Sequence, residues 1–398
     1  MNSALGAASI ESVYSGVGAG QWRNAGNWTN SDLSAAYPDN NNPGGHNYHA
    51  KVLADHSHVT LDGIVAVDSL TMQSGNGPMS LTLTNNAHLT AGGASFTSLT
   101  SAVAAPSVAL QANSIMNVAG HLQTQGPISV GASASLSAQS LTHDTLLPST
   151  INGTLSVQQL LTIDGGALTV AGSTTAASTQ INPFGVVTVP TGGQLAGTDI
   201  AIVGLLDLAG GAVSATNPLQ LSGALQGHGS ISSADVSGGI NPGSFASRGH
   251  IDITGDLTFT DSSFSYLSID IADRANTLDF DTLATSGDVE LATYLTVVLA
   301  GTFVADPADE YIVLTAASID AGQMMFDTLG DGRIVVYNDD GEAGTFAYEL
   351  RAPAAGVEQL VLRDFRAIPE PGLLAPVALV LGALVQRVKK THGPSRRG

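Results

Sequence analysis

Short runs that alternate polar with apolar residues, and never lengthen into a helical period, constrain this chain more than any other feature. They recur from 59 to about 237: Val-Thr-Leu-Asp at 59–62, Ser-Leu-Thr-Leu-Thr at 80–84, Gly-Thr-Leu-Ser-Val at 153–157, Ala-Leu-Thr-Val at 167–170, Gly-Val-Val-Thr-Val at 185–189 and Gly-Leu-Leu-Asp-Leu at 204–208. Each has a period of two, is rich in β-branched residues and is bounded by Gly, Asn or Ser, which is the pattern of a short strand. Their spacing is loose, about 20 residues per coil, with no strict register. Strands this short cannot bury a face alone, but stacked as rungs they can, and stacking leaves few open edges. The expected fold is all-β: an elongated right-handed parallel β-solenoid (β-helix) over 59–248, a C-terminal β region over 249–366, and one short C-terminal hydrophobic helix. One or two antiparallel sandwiches are the competing architecture.

Composition agrees with such a body. Charged residues are 12% of the chain, about half the usual share, while 46 residues are Gly. A hydrophobic fraction of 43% is too high for a disordered low-complexity chain. The net charge of −20 reflects missing bases, since 52–247 holds no Lys or Arg at all. A nucleic-acid partner needs a basic footprint and is excluded. With no Cys, disulfides, zinc–thiolate sites and Cys nucleophiles are excluded too.

The two ends differ from this body. Residues 1–11 lack the basic and apolar regions of a signal peptide, yet Ala4, Ala7 and Ala8 resemble the small-residue region where one is cleaved. They are expected to be a signal-peptide remnant, with the true start encoded upstream. Residues 12–58 hold both tryptophans, Trp22 and Trp28, in a W-x-N-x-x-N-W pattern, then a Pro/Gly/Asn loop around 38–45. The segment is expected to cap an elongated core with two aromatics. At the other end Pro369, Glu370 and Pro371 break any helix, a 14-residue apolar run spans 372–385, and Arg387, Lys389, Lys390, Arg396 and Arg397 form a basic tail. As a helix the run reaches roughly 21 Å, short of a roughly 30 Å hydrocarbon core, so a transient, processed anchor is expected. The basic tail would stay on the cytoplasmic face.

Pro369-Glu370-Pro371, the apolar run and the basic cluster together resemble the PEP-CTERM sorting domain (367–398) of Gram-negative bacteria. That resemblance implies recognition at Pro-Glu-Pro by an exosortase-type membrane processing enzyme, membrane contact through the C-terminal helix before processing, and export to the envelope surface or extracellular matrix. The W-x-N-x-x-N-W opening resembles that of planctomycete-type repetitive surface proteins. From 223 to about 313, Gly227-His228-Gly229 with Ile231, then Ile240-Asn241-Pro242-Gly243 and the acidic strands that follow, resemble autotransporter-associated β-strand repeats. This implies a passenger-like β-helix and supplies no catalytic residue.

Little in the chain looks chemical. His46, His49, His56 and His58 cluster, and His56-x-His58 on a strand would put both rings on one face. No structural zinc spacing is present, and polar loop residues are the favoured reading, so no metal and no cofactor is expected. Asp331-Gly332 and the acidic turn at 338–342 read as hairpin turns before calcium loops. Gly227-His228-Gly229 has no following helix and no Lys, so it is no phosphate loop. The span 52–247 holds eight Asp, no Glu and no base, which is poor material for a lyase. The expected function is therefore a non-enzymatic, exported surface or matrix structural protein. A glycan-binding adhesin with an extracellular polysaccharide partner is the alternative, and a carbohydrate-active β-helix enzyme the third.

Overall fold

The computed structural model describes residues 9–368, apart from 17, 35, 42–45, 99–104, 245–246, 261–263, 274–278, 302, 329–331 and 339–340. The protein is all-β. The described residues form one hydrogen-bonded sheet of 31 strands, and their sole helical turn is a 3-10 segment, Ala25–Asn27. The apolar run, the Pro-Glu-Pro motif and the five basic residues of the tail lie outside the described residues. Among those described, no helix is long and apolar enough to cross a membrane.

Parallel pairing at intervals of about 20 residues builds the body. The strand Ser135–Asp144 lies between Ile115–Thr124 and Thr154–Val170, and the last of these pairs in turn with Ser173–Pro190. The ladder aligns like with like. One buried column runs Val65, Leu89, Met116, Leu136, Leu155, Thr174, Leu195, Val213, Ile231 and Ile253. A second runs Met72, Phe96, Thr124, His143, Ile163, Ile181, Ile202, Leu221, Val236 and Phe259. A third runs Leu168, Val187, Leu206, Leu225, Ile240, Leu267 and Leu295. Each fully buried aliphatic side chain contributes about 1.5–3 kcal/mol, so the columns, repeated coil after coil, are the main source of stability.

Two features differ from the sequence expectation. The strands are longer than the alternating runs: Thr154–Val170 has 17 residues and Ser173–Pro190 has 18. They bend without losing their pairing, and the ladder absorbs each bend as a register shift, as between Val157 and Leu160. The pairing also crosses the expected boundary at 248/249 without a break, because Ala224–Val236 is parallel to His250–Phe259.

Tight corners separate the long strands, and a glycine follows the corner residue at Val203-Gly204, Ser222-Gly223 and Ser237-Gly238, which stack on one another, and at Asn152-Gly153 and Ala171-Gly172 on a second corner. At Gly204 the N–H donates to Ile181 O at 3.0 Å, and its carbonyl accepts from Ala224 N at 3.0 Å. A Cβ there would sit 2.3 Å from both Asn182 O and Gly185 O. Adjacent backbones approach so closely that no side chain fits. Gly227 is required for a second reason, a φ of +98°, with a Cβ that would fall 1.9 Å from Leu208 O.

Both ends of the stack are closed. At the N-terminal end Ser9–Tyr14 pairs parallel with Asn47–Val52, while its other edge is covered by the antiparallel strand Trp28–Asn30. The two asparagines of W-x-N-x-x-N-W build the turn: Asn24 Oδ1 accepts from Gly26 N at 3.0 Å, and Asn27 Nδ2 donates to Gln21 O at 3.0 Å. That turn brings Trp22 and Trp28 to 4.9 Å, with Trp28 Nε1 donating to Trp22 O and Tyr14 edge-on to Trp28. At the C-terminal end Ile334–Asn338, Gly341–Ala354 and Val357–Ala367 form an antiparallel meander. Asn338 stands opposite Gly341, as the hairpin reading of that turn expects. Phe280, Tyr311, Phe346 and Phe365 make a chain of ring contacts 5.1–5.7 Å apart beneath it.

The corner packing yields a direct test. Gly204→Ala should destabilise the protein by about 2 kcal/mol through forced overpacking, whereas Val203→Ala, one residue away and 41% exposed, should cost under about 0.5 kcal/mol. Urea unfolding of the two variants checks this.

Candidate functional site

The histidines nominated by the sequence do not converge. His49, on Asn47–Val52, places Nδ1 2.8 Å from Ser69 Oγ of the next rung, and His58, on Ser57–Leu61, places Nδ1 2.9 Å from Ser80 Oγ. His56 is not on the strand. It occupies a turn at φ +63°, and its ring lies against Gly77. His46 stands edge-on to Tyr48 with ring centroids 6.4 Å apart. The parallel register sets His49 and His58 each beside a serine of the next rung, so these two bond to serines rather than to one another. Among the described residues no three His, Cys, Asp or Glu side chains gather in a way that suits a metal ion.

Two surface hollows that the sequence reading did not nominate are better candidates. The first, about 440 Å³, has a floor of Gly192, Gly193, Gly210, Gly211 and Gly229, with His228, His250 and Asp252 beside it. His250 Nε2 lies 2.9 Å from Asp252 Oδ1, and its Nδ1 lies 2.6 Å from Thr282 Oγ1. A carboxylate only accepts, so Nε2 carries the proton and neutral His250 accepts from the Thr282 hydroxyl. This is a hydroxyl–imidazole–carboxylate string able to pass a proton. It is open to water, with the His250 and Asp252 side chains 50% and 62% exposed, and no Lys or Arg lines the hollow to hold a developing negative charge.

The second hollow, about 430 Å³, is a trough over the corner glycines Gly185, Gly204, Gly223 and Gly238. Phe184, Val203 and Phe264 stand at its corner positions, with Tyr266 on the adjoining strand. Phe184 lies inside the strand Ser173–Pro190, at the bend where the ladder shifts register, and Phe264 sits two residues before Tyr266–Ile271, so no local alternation marked either one.

Buried titratable groups form a third set. His143 lies in the second inner column between Thr124 and Ile163, 1% exposed, and neither ring nitrogen has a hydrogen-bond partner. Burial lowers its pKa to about 4. Asp281 accepts backbone N–H bonds from Gly249 at 2.9 Å and Asp270 at 3.0 Å, yet burial raises its carboxyl to about 7. Arg248 lies 3.7 Å from Asp270, whose carboxyl burial also raises. Arg333, 7% exposed, bonds Thr345 Oγ1 at 3.0 Å and Asp364 Oδ2 at 2.9 Å and ties the terminal meander together.

His143 gives a signed pH prediction. Its ordinary pKa is 6.5 and its folded value is about 4, so between them the unfolded chain takes up a proton that the folded chain refuses. Stability from this group is complete above pH 6.5 and falls as pH drops towards 4, by up to about 3 kcal/mol. Asp281 titrates with the opposite sign, losing stability as pH rises towards 7, so only a difference measurement isolates the histidine. His143→Leu should therefore gain stability relative to the parent as pH falls from 7 to 4.5, seen as diverging urea midpoints.

Compared with known proteins, the chain matches no family model and no curated protein.

Proposed function

We propose that this chain is an exported structural protein of the cell surface or extracellular matrix, non-enzymatic, and delivered through its C-terminal signal. In this reading the described body is a right-handed parallel β-solenoid acting as a stiff spacer. The observation that carries it is the unbroken parallel register from Ser9–Tyr14 to Tyr294–Leu299, with the same apolar columns continuing through most of it. Such repetition transmits rigidity along one axis, because each coil contacts its neighbours and stability adds coil by coil. Outward positions are mostly Ser, Thr, Asn and Gln, for example Asn117 bonded to Ser137 at 2.7 Å and Asn217 to Asp199 at 2.7 Å. Neutral polar ladders of this kind keep a long sheet hydrated with few charges.

The tail supports the destination. In sequence, Pro369, Glu370 and Pro371 follow one residue after Val357–Ala367, the last strand among the described residues. A proteolytic enzyme needs an extended, accessible backbone, and two prolines hold this point out of any helix. The exosortase-type partner is the one implied by the resemblance of 367–398 to PEP-CTERM domains. Membrane attachment would last only until processing.

The test is expression in a Gram-negative host with and without an exosortase-type enzyme. With it, the chain should be found on the surface or in the medium, and mass spectrometry should place its new C-terminus near Pro369. Glu370→Ala with Pro371→Ala should leave most of the protein uncleaved in the membrane fraction. Surface protein that still carries Arg396 and Arg397 would overturn the reading.

A further inference from the structure

We propose that the trough over the corner glycines is a binding site for a neutral polysaccharide, with the exposed faces of Phe184, Phe264 and Tyr266 as its stacking surfaces. The first argument is concentration. Phe184 is 84% exposed and Phe264 78%, while every other Phe among the described residues is buried or packed against the core. Tyr266 at 43% and Val203 at 41% join them in the same hollow. A sheet protein that covers its other described phenylalanines places two bare phenyl rings on one strip, and such exposed patches mark binding surfaces.

The second argument is shape. The glycines stack one coil above the next, as the hydrogen bonds Ala224 N to Gly204 O, Gly239 N to Gly223 O and Tyr266 N to Gly238 O show. From the Phe184 corner to the Phe264 corner is four rungs, or about 19 Å at the usual strand separation. The glycines add no side chain to the floor, and beside them runs a low apolar row, Val186, Leu205 and Ala224, so the hollow is long and shallow. Its ends carry aromatic faces. Tyr266 is held in place by the glycine beneath it: a Cβ on Gly239 would fall 2.0 Å from the Tyr266 ring. A linear chain of sugar rings has this outline, with apolar C–H faces for the aromatics and hydroxyls around its rim. Ser222, Ser237 and corner carbonyls provide polar partners along the way.

The third argument is charge. No Asp, Glu, Lys, Arg or His lines the trough, and the chain carries a net charge of −20. An acidic polymer would be repelled by the whole protein and would find no cation in the site. The occupant that fits is uncharged. A protein partner is disfavoured because interfaces depend on knobs set into pockets, and a shallow floor of glycines with Val186, Leu205 and Ala224 offers no deep pocket to fill.

This inference does not depend on the sorting reading, and the purified full-length chain tests it alone. The probes are an array of neutral polysaccharides (glucans, mannans, galactans and xylans) beside alginate and hyaluronate as acidic controls. Binding to at least one neutral polymer and to neither acidic one is expected. Phe184→Ser combined with Phe264→Ser should weaken that binding at least tenfold with unchanged thermal unfolding, since both side chains are largely solvated. Leu146→Ser, 73% exposed and outside the hollow, should leave it intact. No binding to any neutral polymer, binding unaffected by the double substitution, or preference for the acidic controls would each overturn the proposal. So would concentration-dependent self-association by sedimentation that the double substitution abolishes, which would make the trough a contact between copies of this chain.

Discussion

The parallel backbone ladder between neighbouring strands is the interaction on which everything else rests. A parallel pair of strands sets every side chain of one coil beside its counterpart in the next, so a single inward-facing Leu becomes a column. Leu136 beside Leu155 and Ile181 beside Ile202 are consequences of that register rather than separate packing solutions. The same alignment acts on polar residues. Asn217 meets Asp199, His121 meets Ser140, and Ser137 meets Asn117, each partner one coil away.

Such a ladder imposes two costs, and each has a visible answer. Its corners crowd backbone against backbone, which is why glycine follows the corner at 153, 204, 223 and 238. Its ends leave unpaired N–H and C=O groups that would recruit other chains. The N-terminal strand is covered by Trp28–Asn30 and a pair of indoles tilted against each other. The C-terminal coils are covered by an antiparallel meander pinned by Arg333 and a run of aromatic contacts. Many of the described aromatics thus sit at the two ends, while Phe96 and Phe259 fill an inner column and the Phe184–Phe264 strip stands outside.

Function follows from what the ladder leaves outside. Inward positions are committed to the columns, so variation is free only at outward positions and corners. Both hollows lie there. One gathers a histidine, a threonine and an aspartate from strands about 30 residues apart, and the other gathers corner residues from five successive coils. His143 is the reverse case, a polar residue in an inward position, where the core accepts it only as the neutral ring.

Much of this was legible in the order of residues. Period-two runs at 80–84, 153–157 and 204–208 announced strands, the W-x-N-x-x-N-W pattern announced a sealed end, and Asn338 with Gly341 announced a hairpin. These are local properties: pattern, turn chemistry and backbone restriction act over a few residues. Strand length was not legible, since a strand that bends at a corner and stays paired looks like two short strands in one dimension. Nor were the sites. His56 and His58 are two residues apart yet do not meet, because one sits in a left-handed turn, whereas His250 and Thr282 do meet. Proximity across coils is decided by register, and register is set by the sum of many columns packing at once. Sequence by itself determined that this chain is built of β-strands and that its N-terminal segment, with Trp22 and Trp28, seals one end. Only the tertiary structure decided which corners stand side by side, because that depends on long-range pairing that no short stretch of residues encodes.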